Sequence, residues 1–385
     1  MQTQTKPFDM SLVQRGARLR RSPFFEATQR YGPRGFTVYN HTLFPTRFDD
    51  FDAEYRHLLE HVTLWDVAVE RNVEVTGADG FRFAQLLTCR DLSKCAVGQG
   101  KYVLITAPGG GILNDPVMLR LDENTFWFAL ADSDVLFYAF GLAACAGMDV
   151  QVREVDAAPL QIQGPKSKDV IRDLFGDEIL DLKYYWFSRR EIDGIPVIVT
   201  RTGWTSEVGY EVYLLDPSRG VDLWERIMEA GRPYQIRPTG PSDIRRIEGG
   251  IFNYRADMDW TNNPFELGLD RLVDLDMEAQ FMGKEALRRI KAEGVSRKMV
   301  GVEIDGARME MNQTKWPVEA DGQRVGEVTS AIYSPRLEKN IGFAWVPVRL
   351  SELGNTVSVE TPDGVRVATV VSMPFVDPGK KIPKS

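Results

Sequence analysis

The stretch Ile195-Pro-Val-Ile-Val-Thr-Arg-Thr-Gly-Trp204, followed after four residues by Gly209-Tyr-Glu-Val-Tyr-Leu-Leu215, decides the fold of the central part of the chain. Both runs are rich in β-branched and aromatic residues, and a polar turn separates them, so the pattern predicts a hairpin pair of strands. Alternation in the second run places Glu211 and Tyr213 on one face and aliphatic residues on the other. A polar, functional strand face is therefore plausible here, with a solvent-facing glutamate as the simpler alternative.

The segments on either side of this pair differ in their patterns. Residues 63–150 alternate strand and helix patterns, including two apolar runs, 102–108 and 112–122, around a glycine-rich turn. This mixed order favours a small antiparallel α+β unit. From about residue 295 short alternating strands follow one another with turns between them, which predicts a separate all-β domain.

Composition excludes several classes of function. The chain has 385 residues with 47 Lys and Arg against 55 Asp and Glu, a net charge of −8 that argues against a nucleic-acid partner. The three cysteines are too few for a disulfide framework, and there is no secretory signal or membrane-spanning apolar run. We therefore expect a cytoplasmic protein without a membrane partner. No spacing typical of a metal, dinucleotide, Walker A or serine-hydrolase site occurs, so we expect no metal.

Several stretches occur together in an order that resembles one known family. They are Leu160-Gln-Ile-Gln-Gly-Pro165, Arg201-Thr-Gly-Trp-Thr-Ser-Glu-Val-Gly-Tyr-Glu211, Asn263-Pro-Phe-Glu-Leu-Gly268, Phe281-Met-Gly-Lys-Glu285, Gly326-Glu-Val-Thr-Ser330, Ser334-Pro335, Lys339-Asn-Ile-Gly342 and Met373-Pro-Phe-Val376. The chain resembles the aminomethyltransferase (glycine-cleavage T-protein) family of folate-dependent one-carbon enzymes over nearly its whole length.

The resemblance implies an α+β fold of three domains in a ring, a cloverleaf with tetrahydrofolate in the central hole. The first domain would be discontinuous, 1–62 plus about 151–290. The second, 63–150, would be ferredoxin-like, and the third, 291–385, a jelly-roll-type β-barrel. The independent strand patterns of 63–150 and of the C-terminal region agree with this arrangement.

Within the family, the chain is most similar to the dimethylsulfoniopropionate demethylase branch. The residues behind this are Tyr39-Asn-His41, Leu64-Trp-Asp-Val-Ala-Val-Glu-Arg71, Leu87-Thr-Cys-Arg-Asp-Leu-Ser93, Asn114-Asp-Pro116 and Gly203-Trp-Thr-Ser-Glu-Val-Gly-Tyr-Glu-Val-Tyr213. The T-protein typically has an Asp-Asp pair at Asn114-Asp115, and Gly-Tyr-Thr-Gly-Glu-Asp-Gly at 203–209. The resemblance thus implies a tetrahydrofolate-dependent demethylase that moves a methyl group from a small sulfonium to N5 of tetrahydrofolate by redox-neutral in-line displacement.

The resemblance also implies roles for individual residues. Glu211 would accept hydrogen bonds from the pterin edge, as a carboxylate can accept two N–H bonds at once. Asp115 would be catalytic: it would orient the folate, stabilise charge on N5 and accept the proton lost after transfer. Tyr102 would line the folate site. Turn capping by Asp115 and strand packing of Tyr102 are the simpler alternatives.

A sulfonium carries no hydrogen-bond donor, so aromatic faces suit it, at about 0.5–2 kcal/mol per contact. Trp204, Tyr213 and Trp186 are the substrate-binding candidates, with core packing as the alternative for each.

Two family positions differ: an arginine that contacts folate in the T-protein falls on Ser242, and a C-terminal tyrosine falls near Lys380. Lys380 and Lys381 could suit the anionic tail of the cofactor.

Other activities of the same fold stay open. The methyl donor could be a methylated amine, a betaine or an aryl methyl ether. Aminomethyltransferase activity with a lipoyl carrier is a further alternative, and a non-catalytic folate-binding protein is the last. We also expect a small-molecule methyl donor as the partner, and a homodimer.

Overall fold

A computed structural model describes residues 16–385, so the first fifteen residues of the predicted first domain lie outside it. The N-terminal part forms three strands and two helices: β1 (Arg20–Arg21), α1 (Phe25–Gln29), β2 (Gly35–Tyr39), β3 (Thr42–Arg47) and α2 (Phe51–Glu60). β1 and β2 flank β3 in a small sheet. α2 begins where the Asp50 carboxylate accepts a hydrogen bond from the backbone N–H of Ala53, a common N-cap.

The next part of the chain contains a complete ferredoxin-like unit. Its elements, preceded by β4 (Thr63–Asp66), are β5 (Asn72–Thr76), α3 (Gly80–Leu87), β6 (Gly100–Tyr102), β7 (Ile105–Thr106), β8 (Ile112–Asn114), β9 (Val117–Asp122), β10 (Thr125–Ala129), α4 (Val135–Ala146) and β11 (Gln151–Val155). The sheet order is β11-β5-β10-β9-β6, with antiparallel pairing throughout. The path β5-α3-β9-β10-α4-β11 is the β-α-β-β-α-β pattern of ferredoxin-like folds. The ferredoxin-like fold predicted for this part of the chain is confirmed.

A second sheet forms the largest part of the molecule. Its elements, with two helices that follow, are β12 (Ala158–Gln163), α5 (Ser167–Phe175), β13 (Phe187–Ile192), β14 (Ile195–Thr200), β15 (Gly209–Leu214), α6 (Gly220–Gly231), β16 (Arg237–Thr239), α7 (Asp243–Glu248) and α8 (Lys284–Glu293). The strand order is β13-β14-β15-β12-β4-β16. The predicted hairpin is present as β14 and β15, with Thr200 opposite Glu211. Since β4 pairs here and β11 pairs with β5, we propose that the ferredoxin-like unit extends from about 67 to about 157.

The C-terminal part is a closed six-stranded antiparallel barrel. Its elements are β17 (Arg297–Ile304), β18 (Trp316–Ala320), β19 (Gln323–Ser334), β20 (Lys339–Pro347), β21 (Thr356–Thr361), β22 (Gly364–Val371) and the terminal helix α9 (Lys381–Lys384). The order around the barrel is β17-β20-β19-β18-β21-β22. Inward-facing valines such as Val302, Val318 and Val359 fill its core. The predicted C-terminal barrel is confirmed.

Buried charges join the barrel to the rest of the molecule. Arg246 on α7 is fully buried and donates to Asp257 at 2.8 Å and to Ser330 on β19 at 2.9 Å. Glu248, also on α7, accepts hydrogen bonds from Tyr55 on α2 and from Ser334 on β19, both at 2.6 Å. A buried charge is tolerated only when paired, so these contacts favour one position of the barrel relative to α2 and α7. Across residues 16–385, no helix combines the length and apolar character needed to span a membrane.

Candidate active site

A deep cavity of about 1000 Å³ lies where the three parts of the molecule meet. Its wall draws residues from the ferredoxin-like unit, from the second sheet, from the loop before the barrel strand β18 and from the C-terminal segment; examples are Asp115, Trp204, Met311 and Lys380. Binding sites in proteins are typically such concave sites between structural units. The position is the central hole that the ring arrangement leads us to expect.

Asp115 lies at a break between two strands. The apolar run 112–122 was expected to be one strand, and that expectation is wrong: β8 ends at Asn114 and β9 begins at Val117. Pro116 has no N–H to donate, so it cannot continue a ladder, and the break aims Asp115 into the cavity. Tyr102 Oη donates to Asp115 Oδ2 at 2.9 Å. Burial raises the pKa of Asp115 to about 7, although the tyrosine hydrogen bond lowers it.

Asn114, next to Asp115, has a structural role. Its side chain is fully buried; Oδ1 accepts from the backbone N–H of Ala131 at 3.0 Å, and Nδ2 donates to Ala131 O and to Ser133 Oγ. An amide can donate and accept at once, as this clamp requires, whereas a carboxylate can only accept. The position of the other T-protein aspartate, the one before Asp115, is thus taken by an amide that fastens the Asp115 turn to the end of β10.

Glu211 lies directly behind the cavity wall and is only 4% exposed. Its Oε1 accepts from Gln161 Nε2 at 2.7 Å, and its Oε2 accepts from the hydroxyls of Thr200, Thr202 and Tyr213. Burial raises the pKa of Glu211, and these hydrogen bonds counteract part of that effect. As expected from the alternation, Glu211 and Tyr213 share one strand face, and Val212 and Leu214 pack into the core.

The predicted substrate-binding aromatics are not all in the cavity. Trp204 lines it, together with three aromatic residues that the sequence did not single out: Tyr39, Phe44 and Trp65. Tyr213 is fully buried against the ferredoxin-like sheet, and Trp186 stacks near Gly98; neither is part of the described cavity wall.

We call Tyr39, Phe44, Trp65 and Trp204 the aromatic chamber. The ring centroids of Trp65 and Trp204 lie 6.0 Å apart and those of Tyr39 and Phe44 lie 6.5 Å apart. These distances are within the range of contacting aromatic side chains. The four rings belong to one apolar cluster with Val67 and Val69. The chamber therefore offers several aromatic faces to a ligand in the cavity.

A third carboxylate, Glu70, lies in the cavity wall. It follows the apolar residues Val67 and Val69 on the turn between β4 and β5, and the sequence analysis gave it no role. Burial, together with the neighbouring charges of Glu211 and Asp115, raises the pKa of Glu70 well above its ordinary value. An isolated acidic residue in an apolar run is the feature that could have revealed it.

The cavity wall also carries a group of cations, which we call the cationic rim: Arg90, Lys101, Arg271, Lys380 and Lys384. Arg271 and Lys384 are exposed, so this side of the cavity reaches solvent. Burial lowers the pKa of Arg90 and of Lys380, and repulsion from Arg271 adds to the effect. The anticipated Lys380 is thus present, while Lys381 lies outside the wall and Ser242 serves as the N-cap of α7.

Tyr185 also lines the cavity. Burial and the neighbouring Tyr184 and Glu211 raise its pKa, whereas Arg90 and Arg271 lower it. Its backbone is left-handed, with φ of 63°, a conformation that non-glycine residues rarely adopt outside functional sites and turns. The cavity therefore has a carboxylate region, with Glu70 and Asp115 in the wall, and a cationic region.

Comparison with known proteins identifies the family to which this chain belongs. The model of the GCVT N-terminal domain matches residues 8–277, and that of the glycine cleavage T-protein C-terminal barrel domain matches residues 297–377. The chain is 37% identical to the dimethylsulfoniopropionate demethylase DmdA of Ruegeria pomeroyi over 353 residues, which are 92% of this chain and 96% of that protein. It is 32% identical to the aminomethyltransferase of Symbiobacterium thermophilum over 369 residues, with 93% and 97% covered.

The crystal structure of aminomethyltransferase T of the Bartonella henselae glycine cleavage system has the same fold. It matches with a TM-score of 0.84 at 24% identity, covering 93% of this chain and 98% of the other. Fold and matches together define a tetrahydrofolate-dependent enzyme that transfers a one-carbon group between small molecules. The chain belongs to the aminomethyltransferase (glycine-cleavage T-protein) family.

The cavity fits tetrahydrofolate in its charge pattern. The pterin edge presents N–H donors, which suit the carboxylate region, and the glutamyl tail is anionic, which suits the cationic rim. Several of the rim cations have no carboxylate close to them, so an anion would find them available: no salt bridge is formed by Arg90, Lys101, Arg271, Lys380 or Lys384 within residues 16–385.

Proposed function

We propose that the protein is a tetrahydrofolate-dependent demethylase that takes a methyl group from a small sulfonium compound similar to dimethylsulfoniopropionate. The observation that carries the proposal is the aromatic chamber, which opens into the same cavity as Asp115. The 37% identity to DmdA, a dimethylsulfoniopropionate demethylase by name, supports the same substrate class.

The aromatic chamber suits a sulfonium for a physical reason. The cation has no N–H or O–H to donate, and it is held by the electron-rich faces of aromatic rings at about 0.5–2 kcal/mol per contact. Trp65 and Trp204 are the strongest candidates because indole has the largest attraction for cations. In our proposal, these two rings hold the methyl donor while the rest of the chamber excludes water.

Tetrahydrofolate, when bound, supplies N5 as the methyl acceptor. Glu211, behind the cavity wall, would hold the pterin edge, and the cationic rim would hold the tail. Asp115 orients the reacting end and takes up the proton that is lost after transfer, a role that suits a carboxylate whose pKa is about 7. Positioning of two reactants by such groups can lower a barrier by up to about 7–11 kcal/mol.

Asn114 supports demethylation over the aminomethyl transfer of the T-protein. The T-protein typically presents two adjacent aspartates, and this chain offers one, since the Asn114 amide is consumed by its bonds to Ala131 and Ser133. A methyl transfer from sulfur needs one proton acceptor and no carrier protein. The single carboxylate of this turn is therefore consistent with the simpler reaction.

The test is an anaerobic assay of purified protein with tetrahydrofolate and dimethylsulfoniopropionate, following 5-methyltetrahydrofolate and methylmercaptopropionate by chromatography. We expect the two products in equal amounts from the wild type and their loss in Asp115→Ala and Glu211→Ala. Folate binding without either product would refute the sulfonium substrate, and betaines and aryl methyl ethers would then be compared. Product formation that persists in Asp115→Ala would refute the site.

A further inference from the structure

We infer that Glu70 is the counter-ion of the methyl donor and restricts the enzyme to permanently charged onium substrates. The inference rests on the proposed function and narrows its substrate class: sulfonium and quaternary ammonium compounds are accepted, and neutral methyl ethers are not. Glu70 lies in the wall of the same cavity as the aromatic chamber.

The backbone of Glu70 is fixed while its side chain has no partner. The Glu70 N–H donates to Val67 O at 3.0 Å, and Glu70 O accepts from Asn72 Nδ2 at 3.2 Å. Over residues 16–385, the Glu70 carboxyl group takes part in no hydrogen bond or salt bridge. A well-placed carboxyl group without a partner in a cavity wall is available to a ligand.

The fully buried carboxylates among residues 16–385, by contrast, are satisfied internally. Each accepts at least one hydrogen bond from a neighbour; examples are Asp66, Glu207, Glu211, Glu248 and Asp257. Glu70 differs from these in facing the cavity with no donor beside it. Because Glu70 is half-buried and its carboxyl group has no partner among the described residues, a positively charged group of a ligand would find it available.

The charges that act on the pKa of Glu70 are those of other carboxylates. The carboxylates Glu211 and Asp115 raise its pKa, and Glu70 in turn raises the pKa of Tyr39 and of Tyr213. None of the five residues of the cationic rim is among the charges that act on Glu70. The Arg246 guanidinium lies 5.7 Å from the centroid of the Trp204 ring but is not among the charges that act on Glu70. A ligand cation held nearer to Glu70 in the chamber would favour the ionised carboxylate.

This charge separates the substrates that the aromatic chamber alone leaves open. A sulfonium, a quaternary ammonium and an aryl methyl ether can all lie against aromatic rings. Only the first two gain from a carboxylate in the wall of the same cavity, whereas a neutral ether would leave Glu70 uncompensated. Glu70 therefore selects for positive charge, and the rings select for shape.

The test compares two carboxylates of the same shape: 3-(trimethylammonio)propanoate, with a cationic head, and its carbon isostere 4,4-dimethylpentanoate, with an uncharged tert-butyl head. Each is titrated calorimetrically into the wild type, into Glu70→Gln and into Glu229→Gln, a matched change on the exposed side of α6. Folic acid, which does not accept the methyl group, is present throughout. Its own affinity, measured first, reports whether each variant is folded.

We expect the wild type and Glu229→Gln to prefer the cation, and Glu70→Gln to lose about tenfold in affinity for the cation with no change for the isostere. An unchanged preference in Glu70→Gln would overturn the inference and leave the proposed function intact. Weaker folic acid binding in Glu70→Gln, with its preference for the cation retained, would instead assign Glu70 to the cofactor. A wild type without any preference would contradict the onium substrate itself, and with it both proposals.

Discussion

The Tyr102 hydroxyl donates a 2.9 Å hydrogen bond to Oδ2 of Asp115, and this bond joins the end of β6 to the turn between β8 and β9. It lowers the pKa of a carboxyl group that burial raises to about 7. Tyr102 is itself held in the phenol form, because burial and the Asp115 charge raise its pKa well above the ordinary value. The pair therefore has a fixed donor and an acceptor that titrates near neutrality.

The first prediction concerns this bond. In Tyr102→Phe, the lost donor lets the pKa of Asp115 rise further, so less of the carboxylate is ionised at pH 7. We expect the midpoint of the rise in kcat/KM with pH to move up from about 7, with activity recovered at higher pH. The measurement is a pH–rate profile, with Tyr138→Phe as the control, since its hydroxyl bonds Thr106 O away from the cavity. Identical profiles for all three proteins would contradict the prediction.

The second prediction concerns stability. Burial raises the pKa of Asp115 from 3.8 to about 7, so between these values the unfolded chain releases its proton first. The free energy of unfolding of the wild type therefore falls as the pH rises from about 4 to about 7. Asp115→Asn does not titrate, and we expect it to be more stable than the wild type at pH 8, by up to about 4 kcal/mol, and similar at pH 4.

Urea unfolding of both proteins at the two pH values measures the effect. The same variant should be inactive, because an amide accepts no proton. A gain in stability together with loss of activity is the pattern expected of a strained functional group. Equal stability at pH 8 would show that the cavity solvates Asp115 better than its burial indicates.

Much of the fold could be predicted from local patterns. β14 and β15 were recognised because apolar residues alternate or run continuously between turns. β18, Trp316–Ala320, is hard to recognise from sequence because it is short and contains a proline and a glutamate. The single strand expected for 112–122 is divided because Pro116 cannot donate a hydrogen bond to a neighbouring strand. The apolar pattern of the run does not reveal this break.

The site was harder to predict because its members come from distant segments. Asp115 was recognised through the family pattern and through its unusual place within an apolar run. Trp65 and Glu70 lie in a stretch that carries the family resemblance, but the sequence assigned them no role, and Arg271 had no marker at all; the packing of distant segments brings all three to one cavity. Trp186 and Tyr213 have the same residue types as the chamber, and only the direction of each ring excludes them from the cavity wall.

The third prediction compares Trp204, which lines the cavity, with Trp186, which does not. Trp204→Leu removes one aromatic face from the chamber and should raise the KM for dimethylsulfoniopropionate about two- to thirtyfold, with little change in the KM for tetrahydrofolate. Trp186→Leu is the matched control, because its ring stacks near Gly98 outside the cavity wall, and it should leave both values near those of the wild type. Steady-state kinetics with each substrate varied in turn give the answer. A larger effect of Trp186→Leu would refute the assignment of the chamber.

The fourth prediction concerns the cationic rim. Lys380→Gln removes a charge from the cavity wall, and we expect it to raise the KM for tetrahydrofolate several-fold without changing that for the methyl donor. Lys381→Gln makes the same change one residue further on, at an exposed position outside the wall, and should have no effect. Because the cationic rim binds an anionic tail through charge, added salt should weaken tetrahydrofolate binding more in the wild type than in Lys380→Gln. Equal effects of the two substitutions would show that the net charge of the C-terminal segment matters, and that Lys380 makes no specific contact with the tail.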